Sequence, residues 1–160
     1  MVTESIVQAL ERAPELVVPL VRAAEPSILK RRPPNGKWSI HEHACHLAEV
    51  DALMTRRLDL MLAEEHPRIR SFDPGRDEPD GRLLSLGLDD ALARYVHDRG
   101  RLVQRLRHLG LHDWQRTAIH DEYNSYSVLA MFRHLALHDF FHAYRIEELV
   151  LRKDWPPPRA

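Results

Sequence analysis

The sequence predicts an all-α protein, a four-helix bundle with long connecting loops. Four segments of the 160-residue chain carry apolar side chains at the spacing of an amphipathic helix, and almost no segment alternates as a strand does. Proline and glycine cluster between these segments. Four such helices bury their apolar faces by packing against one another, so we expect a single domain over residues 1–160.

The first predicted helix has a cap at its start and a connector after its end. Thr3 and Glu4 can cap it, and Pro14 should bend or interrupt it because proline removes a helical hydrogen bond. It should end near Ala24, since the glutamate that follows precedes a proline, which disfavours helical backbone. Residues 31–36 contain two prolines and a glycine and predict a connector.

The second predicted helix has the clearest start in the sequence. Ser39 and Glu42 have the spacing of a capping box, in which each side chain accepts a hydrogen bond from the backbone N–H of the other. This helix should stop near Glu65. Residues 66–87 hold proline or glycine at six positions and predict a long loop, which can act as a lid over a site.

The third and fourth predicted helices are joined by a second connector. Asp89 and Asp90 can cap the third helix. Residues 111–124 predict the connector, and the fourth helix should start around residues 124–127 and run to about residue 153.

Composition argues against several classes of protein. The formal net charge of -1 gives no electrostatic basis for binding nucleic acid or an anionic membrane, and no basic segment alternates with aromatic residues. No apolar run approaches membrane-spanning length, and the N-terminal segment lacks a basic leader. The single cysteine, Cys45, excludes an internal disulfide and fits a reducing compartment. We therefore expect a cytoplasmic protein with no nucleic-acid or membrane partner.

Histidines on two of the predicted helices indicate a metal site. His138 and His142 lie four residues apart on one face of the fourth helix, so both can bind one ion. His134 lies one turn earlier and furthest toward solvent, which favours the 138/142 pair. On the second helix, His43 and His46 can each supply a third ligand, and helical phase alone leaves that choice open.

Two stretches of the chain resemble the DinB/YfiT superfamily, bacterial four-helix bundles with a metal site. Trp38-Ser39 is followed by His46-Leu47 on the second predicted helix. The fourth helix carries His138 and His142, followed by Arg145-Ile146-Glu147, where many members have glutamine in place of the arginine. The resemblance covers nearly the whole chain. It implies that His46, His138 and His142 are the metal ligands.

A site of three imidazoles with an open position makes a Lewis acid and can activate water. Zn²⁺, Ni²⁺ and Fe²⁺ all accept such a set, so the residues do not choose the divalent ion. Carboxylates are expected to orient ligand imidazoles, and the candidates are Glu49 and Asp139. Asp139 falls near the centre of the apolar face, where a buried acid can instead pair with an arginine or a tyrosine.

The resemblance implies a metal-dependent enzyme, either a transferase that uses mycothiol, bacillithiol or glutathione, or a hydrolase. Arg56, Arg57 and Arg145 can hold the carboxylates of such a thiol, or they are solvated surface charges. The alternatives are a metal-binding stress-response protein without turnover and a bundle whose histidines are structural. The sequence names no small-molecule substrate. Members of the superfamily commonly form homodimers, and apolar residues around Trp114 and Trp155 favour a homodimer here.

Overall fold

Four long helices dominate residues 2–155, the part of the chain that this computed structural model describes. They are α1 (Val2–Arg22), α2 (Ile40–Ala63), α4 (Leu88–Arg107) and α6 (Val128–Val150). The shorter elements are β1 (Arg68–Ile69), α3 (Pro74–Asp77), a 3-10 turn (Arg82–Ser85), α5 (Leu111–Gln115), β2 (Thr117–His120) and β3 (Tyr126–Ser127).

The long helices form the bundle that the sequence predicts. Helices α1 and α2 each pack against both α4 and α6, and they share far fewer contacts with each other. Helices α1 and α2 therefore lie diagonally across the bundle, as do α4 and α6, and a site between α2 and α6 lies between direct neighbours. Within residues 2–155, no helix combines the length and the hydropathy that a membrane span requires.

Helix α1 runs through Pro14 without an interruption, and the alternative expectation, a bend at Pro14, stays a prediction. Proline has no N–H, and the carbonyl oxygen of Leu10, four residues earlier, therefore loses its helical hydrogen bond. The Nη1 of Arg99, on α4, donates a hydrogen bond to that oxygen at 3.0 Å. A buried guanidinium thus replaces the missing donor, and α1 continues to Arg22.

The capping box at the start of α2 is confirmed. Ser39 Oγ accepts a hydrogen bond from the backbone N–H of Glu42 at 3.3 Å, and Glu42 Oε2 accepts one from the backbone N–H of Ser39 at 2.9 Å. Arg32 donates to the same carboxylate at 3.0 Å and to Asp80 at 2.7 Å. The start of α2 is therefore fixed to the connector before it and to the segment after it.

The starts and ends of the other long helices differ from expectation by a few residues. Gly87 occupies the N-cap of α4, so Asp89 and Asp90 lie in its first turn and do not cap it. Ser127 caps α6, because its Oγ accepts from the backbone N–H of Ala130 at 3.1 Å. Helix α6 ends at Val150, earlier than predicted.

The two predicted loops contain a small sheet that the sequence analysis missed. Strand β1 pairs in parallel with β2, placing Ile69 opposite His120, and β2 pairs antiparallel with β3, placing Ala118 opposite Tyr126. Strands of only two to four residues are too short to show alternation. Strand β1 thereby joins the segment of residues 66–87 to the second connector, and the lid role expected for this segment stays a prediction.

A polar cluster divides the apolar core. Arg99 is buried between Asp51 and Asp139, and its Nη2 donates to Asp51 Oδ1 at 2.8 Å while its Nη1 donates to Asp139 Oδ2. We call these three residues the ion cluster. One apolar cluster lies on each side of it, and the helices α2, α4 and α6 contribute to both. Burial raises the pKa of Asp51 to about 7, against the effect of Arg99.

Candidate metal centre

Three imidazoles from α2 and α6 converge on one point. His138 Nε2 lies 2.9 Å from His46 Nε2 and 3.0 Å from His142 Nε2. The ligand atoms of these three residues, the histidine triad, all lie within 4.8 Å of one another. Nitrogens bound to one tetrahedral ion lie roughly 3.3 Å apart, given metal–nitrogen distances of about 2.0–2.1 Å. The triad is therefore spaced as one divalent ion requires.

Burial keeps two of these imidazoles neutral. It is the main cause that lowers the pKa of His46 to about 3 and that of His142 below its usual range, with His138 adding to both shifts. A metal ligand must offer an unprotonated nitrogen, so neutral rings suit the purpose. A set of nitrogen donors fits zinc, nickel or iron better than calcium or magnesium, which prefer oxygen.

A fourth histidine contacts Nδ1 of His142, the ring nitrogen that does not belong to the triad. His43 is buried, and its Nδ1 lies 2.7 Å from His142 Nδ1. An ion on His142 Nε2 would leave the proton of that ring on Nδ1, and Nδ1–H would then donate to His43 Nδ1. On α2 the structure therefore brings His46 into the triad and places His43 behind His142. The spacing of His43 and His46, one turn apart, was the signal for this arrangement, but it does not reveal their separate roles.

Trp38 packs over the same rings. Its ring centroid lies 4.9 Å from that of His46 and 5.6 Å from that of His43, and it stacks on His142 at 6.0 Å. The residue immediately precedes the Ser39 cap, so the start of α2 fixes its position. An indole here shields one side of the triad from water and restricts rotation of the imidazoles.

Glu49 binds arginines and no described histidine. Its Oε2 accepts from Arg82 at 2.7 Å, and its Oε1 accepts from Arg94 at 3.3 Å. Within residues 2–155, no hydrogen bond joins Glu49 to an imidazole. The structure therefore places Glu49 as a link from α2 to the 3-10 turn and α4, and not as the carboxylate that orients a ligand.

Asp139 pairs with an arginine and lies close to His138 without a hydrogen bond to it. Its Oδ2 accepts from Arg99, which is the arginine partner expected for a buried acid. Its Oδ1 lies 3.9 Å from His138 Nδ1, and both of these buried atoms lack a hydrogen-bond partner. That distance exceeds a hydrogen bond, so an orienting role for Asp139 stays a prediction.

A cavity of about 160 Å³ adjoins the triad. His46 and His138 line it from the bundle, and Phe72 lines it from the segment of residues 66–87. Tyr126 adds an aromatic surface from β3, and His134 lies on the same wall, outside the convergent triad. An ion held by the triad would therefore lie beside a pocket for a small molecule.

The remaining candidate residues fall in different places. Arg57 lines the cavity, Arg56 is exposed and does not line it, and Arg145 pairs with Glu148 at 2.6 Å. Cys45 is fully buried, and burial raises the pKa of its thiol to about 11. It therefore stays a protonated thiol in the core and is unsuited to act as a nucleophile.

Comparison with known proteins shows the family of the chain. The sequence model of the DinB superfamily matches residues 9–146. The chain belongs to the DinB superfamily. A protein of Oceanobacillus iheyensis, named provisionally as a metal-dependent hydrolase, is 32% identical over 126 residues, which span 76% of this chain and 70% of that protein.

The fold of this DinB protein also matches a solved structure. YfiT from Bacillus subtilis, described as a probable metal-dependent hydrolase with an unusual four-helix bundle topology, superposes with a TM-score of 0.82. The match covers 92% of this chain and 85% of YfiT, at 24% sequence identity. At that identity the likeness establishes the four-helix bundle fold.

Proposed function

We propose that this DinB protein is a metal-dependent enzyme that binds one divalent ion through His46, His138 and His142 and acts on a small substrate, most simply by hydrolysis. The convergence of the three Nε2 atoms at the wall of a cavity is the observation that carries the proposal. The names of the Oceanobacillus and Bacillus relatives support the hydrolase reading.

Different residues of the chain have different roles in such a site. The triad holds the ion, His43 Nδ1 accepts a hydrogen bond from His142 Nδ1–H, and Trp38 shields the rings. A divalent ion held by three neutral imidazoles supplies Lewis-acid polarisation and activation of a nucleophile. The cavity positions the substrate beside it, where a fixed geometry removes much of the entropic cost of reaction.

The size of the cavity favours hydrolysis over thiol transfer. At about 160 Å³ it accommodates a small substrate, whereas a tripeptide-sized thiol could enter it only in part. Titration of the cobalt-loaded protein with glutathione, bacillithiol and mycothiol tests this preference. A thiolate charge-transfer band with any of them, absent in His46→Ala, would favour the transferase instead.

Metal analysis tests the site itself. Protein purified without a histidine tag should contain one equivalent of zinc, nickel or iron by mass spectrometry. His138→Ala should lose it and remain folded, while His134→Ala, one turn away in the same cavity, should keep it. Full metal content in His138→Ala would reject the ligand set. One equivalent of metal without hydrolysis of any ester, amide or lactone in a panel would favour the non-catalytic alternative.

A further inference from the structure

One face of α2 runs along the cavity from His46 of the triad to a positively charged side chain, Arg57. His46, Val50, Leu53 and Arg57 follow at intervals of four, three and four residues, the spacing of a single helix face, and all four line the cavity. Long side chains on a helix lean toward its N-terminus, a direction that for Arg57 is the direction of His46. The cavity therefore has a metal-binding end and a guanidinium end.

Arg57 is held in place by neutral groups. Its Nη2 donates to the backbone oxygen of Arg70 at 2.7 Å, and its Nη1 donates to Tyr126 Oη at 3.3 Å. Burial raises the pKa of the Tyr126 phenol, which therefore stays neutral. Within residues 2–155, no carboxylate forms an ion pair with Arg57, in contrast to Arg82 and Arg94, which share Glu49. The guanidinium is thus oriented without being neutralised.

The one acid on the cavity wall does not cancel this charge. Glu122 is exposed, and its carboxylate lies 3.9 Å from Arg76. An oriented guanidinium with no anionic partner, at the wall of a cavity, is suited to bind a carboxylate through paired hydrogen bonds.

The space between the two ends is apolar and small. Val50, Leu53 and Met54 line it from α2, and Phe72 and Tyr126 line it from the opposite side. An apolar cavity of about 150 Å³ holds one benzene molecule, so the volume of about 160 Å³ has room for one ring or a short branched chain.

We propose that the cavity binds a small carboxylic acid with an apolar body about one ring in size, whose carboxylate pairs with Arg57 while its reacting group lies at the triad. This inference rests on the proposed function, because the triad defines the reacting end. The names of the relatives specify no substrate, and a small carboxylic acid is the class that the cavity favours.

Binding of chelating probes to the metal-loaded protein tests the proposal. Benzohydroxamate carries a metal-binding group on one ring, and its 3-carboxy and 4-carboxy derivatives add the anion. At least one derivative should bind wild-type protein roughly tenfold or more tightly than benzohydroxamate, the effect of one hydrogen-bonded charge pair. Arg57→Gln should abolish that preference. Arg56→Gln is the matched control, because it removes the adjacent but exposed arginine and should keep the preference.

The outcomes separate this inference from the proposed function. If metal is bound but the carboxylate gives no preference in wild-type protein, or the preference survives in Arg57→Gln, the inference is overturned and the metal site stands. If no metal is bound, the proposed function fails, and NMR titration of the metal-free chain with benzoate decides the inference. Weaker benzoate binding in Arg57→Gln than in Arg56→Gln supports it, and equal binding overturns it.

Discussion

Helix α6 carries two buried polar clusters side by side, and they differ in how they are completed. In the ion cluster, Arg99 binds one oxygen of Asp51 and one of Asp139, so opposite charges meet within the chain. In the histidine triad, three rings point their Nε2 atoms at one another, and burial keeps the rings of His46 and His142 neutral. The first cluster pairs opposite charges of the chain, whereas the second brings together ring nitrogens of the kind that bind a metal ion. Burial of polar groups alone therefore does not mark a candidate functional site, whereas converging ring nitrogens do.

The largest expected effect comes from opening the ion cluster. Arg99→Met leaves two buried carboxylates without a cation and removes the donor for the Leu10 carbonyl. The free energy of unfolding should fall by about 3–5 kcal/mol, the usual result of breaking a buried ion pair. Urea denaturation monitored by circular dichroism measures it.

The matched control lies two turns further along the same helix. Arg107 pairs with Glu11 at the surface, at 2.6 Å, and Arg107→Met should change the stability far less because solvent screens that pair. Similar losses of stability in the two variants would contradict the structural role of the ion cluster.

The same comparison shows what the sequence could and could not predict. The bundle, the capping box and the closeness of His46, His138 and His142 follow from helical spacing and a family motif, which are local signals. The partners of Asp51 and Asp139 and the contact between His43 and His142 depend on which helices become neighbours. Glu49 lies three residues from His46 in the sequence, yet it pairs with Arg82 and Arg94, which come from other elements of the fold. The short strands have no local signal and depend on long-range pairing.

The second prediction concerns the histidine that supports the triad. His43→Ala removes the acceptor for His142 Nδ1 and should weaken metal binding roughly 10–100-fold, as loss of a group that orients a ligand does. Competition with a chromophoric chelator measures the affinity.

His43→Asn gives a rescue control for this prediction, since its side-chain oxygen can accept the same hydrogen bond. It should recover part of the affinity. Equal weakening by alanine and asparagine would mean that His43 only fills space.

The third prediction is acid sensitivity of the metal-free protein. Burial, the largest cause, lowers the pKa of His46 to about 3 and that of His43 to about 4, from a reference value of 6.5. Below pH 6.5 these two imidazoles therefore bind protons in the unfolded chain. In the folded chain they stay unprotonated until the pH approaches their lowered pKa values. The free energy of unfolding therefore decreases as the pH falls below 6.5, by up to about 1.4 kcal/mol per pH unit for each imidazole.

The test compares how steeply the free energy of unfolding changes with pH in different variants. A comparison is needed because the raised pKa of Asp51 changes this free energy in the opposite direction between pH 4 and 7. Urea denaturation in the presence of a chelator, from pH 7 to 4, should show a flatter decline for His46→Leu than for wild-type protein. His97→Gln, which changes an exposed ring, should keep the wild-type slope. An unchanged slope in His46→Leu would argue against neutral burial of that ring.

The smallest expected effect concerns self-association, which stays a prediction. The surface expected around Trp114 is not available, because that indole is buried and packs against Phe132. The better candidate is a stripe on α6 of four exposed residues at positions i, i+3, i+4 and i+7: Leu137, Phe140, Phe141 and Tyr144. Sedimentation should show a homodimer at micromolar concentration, and Leu137→Glu should shift it toward monomer. A wild-type monomer at that concentration would contradict the expectation.

The packing of Trp38 on the imidazoles has an optical consequence. The indole ring centroid lies 4.9 Å from that of His46, whereas Trp114 packs against Phe132, and Trp155 lies between Arg31 and Arg152. Emission from an indole this close to a paramagnetic ion such as Ni²⁺ or Cu²⁺ is strongly quenched, and the effect fades with distance. Trp38→Phe should therefore remove most of the quenching that accompanies metal uptake, which means that the protein carries its own fluorescent reporter of the ion.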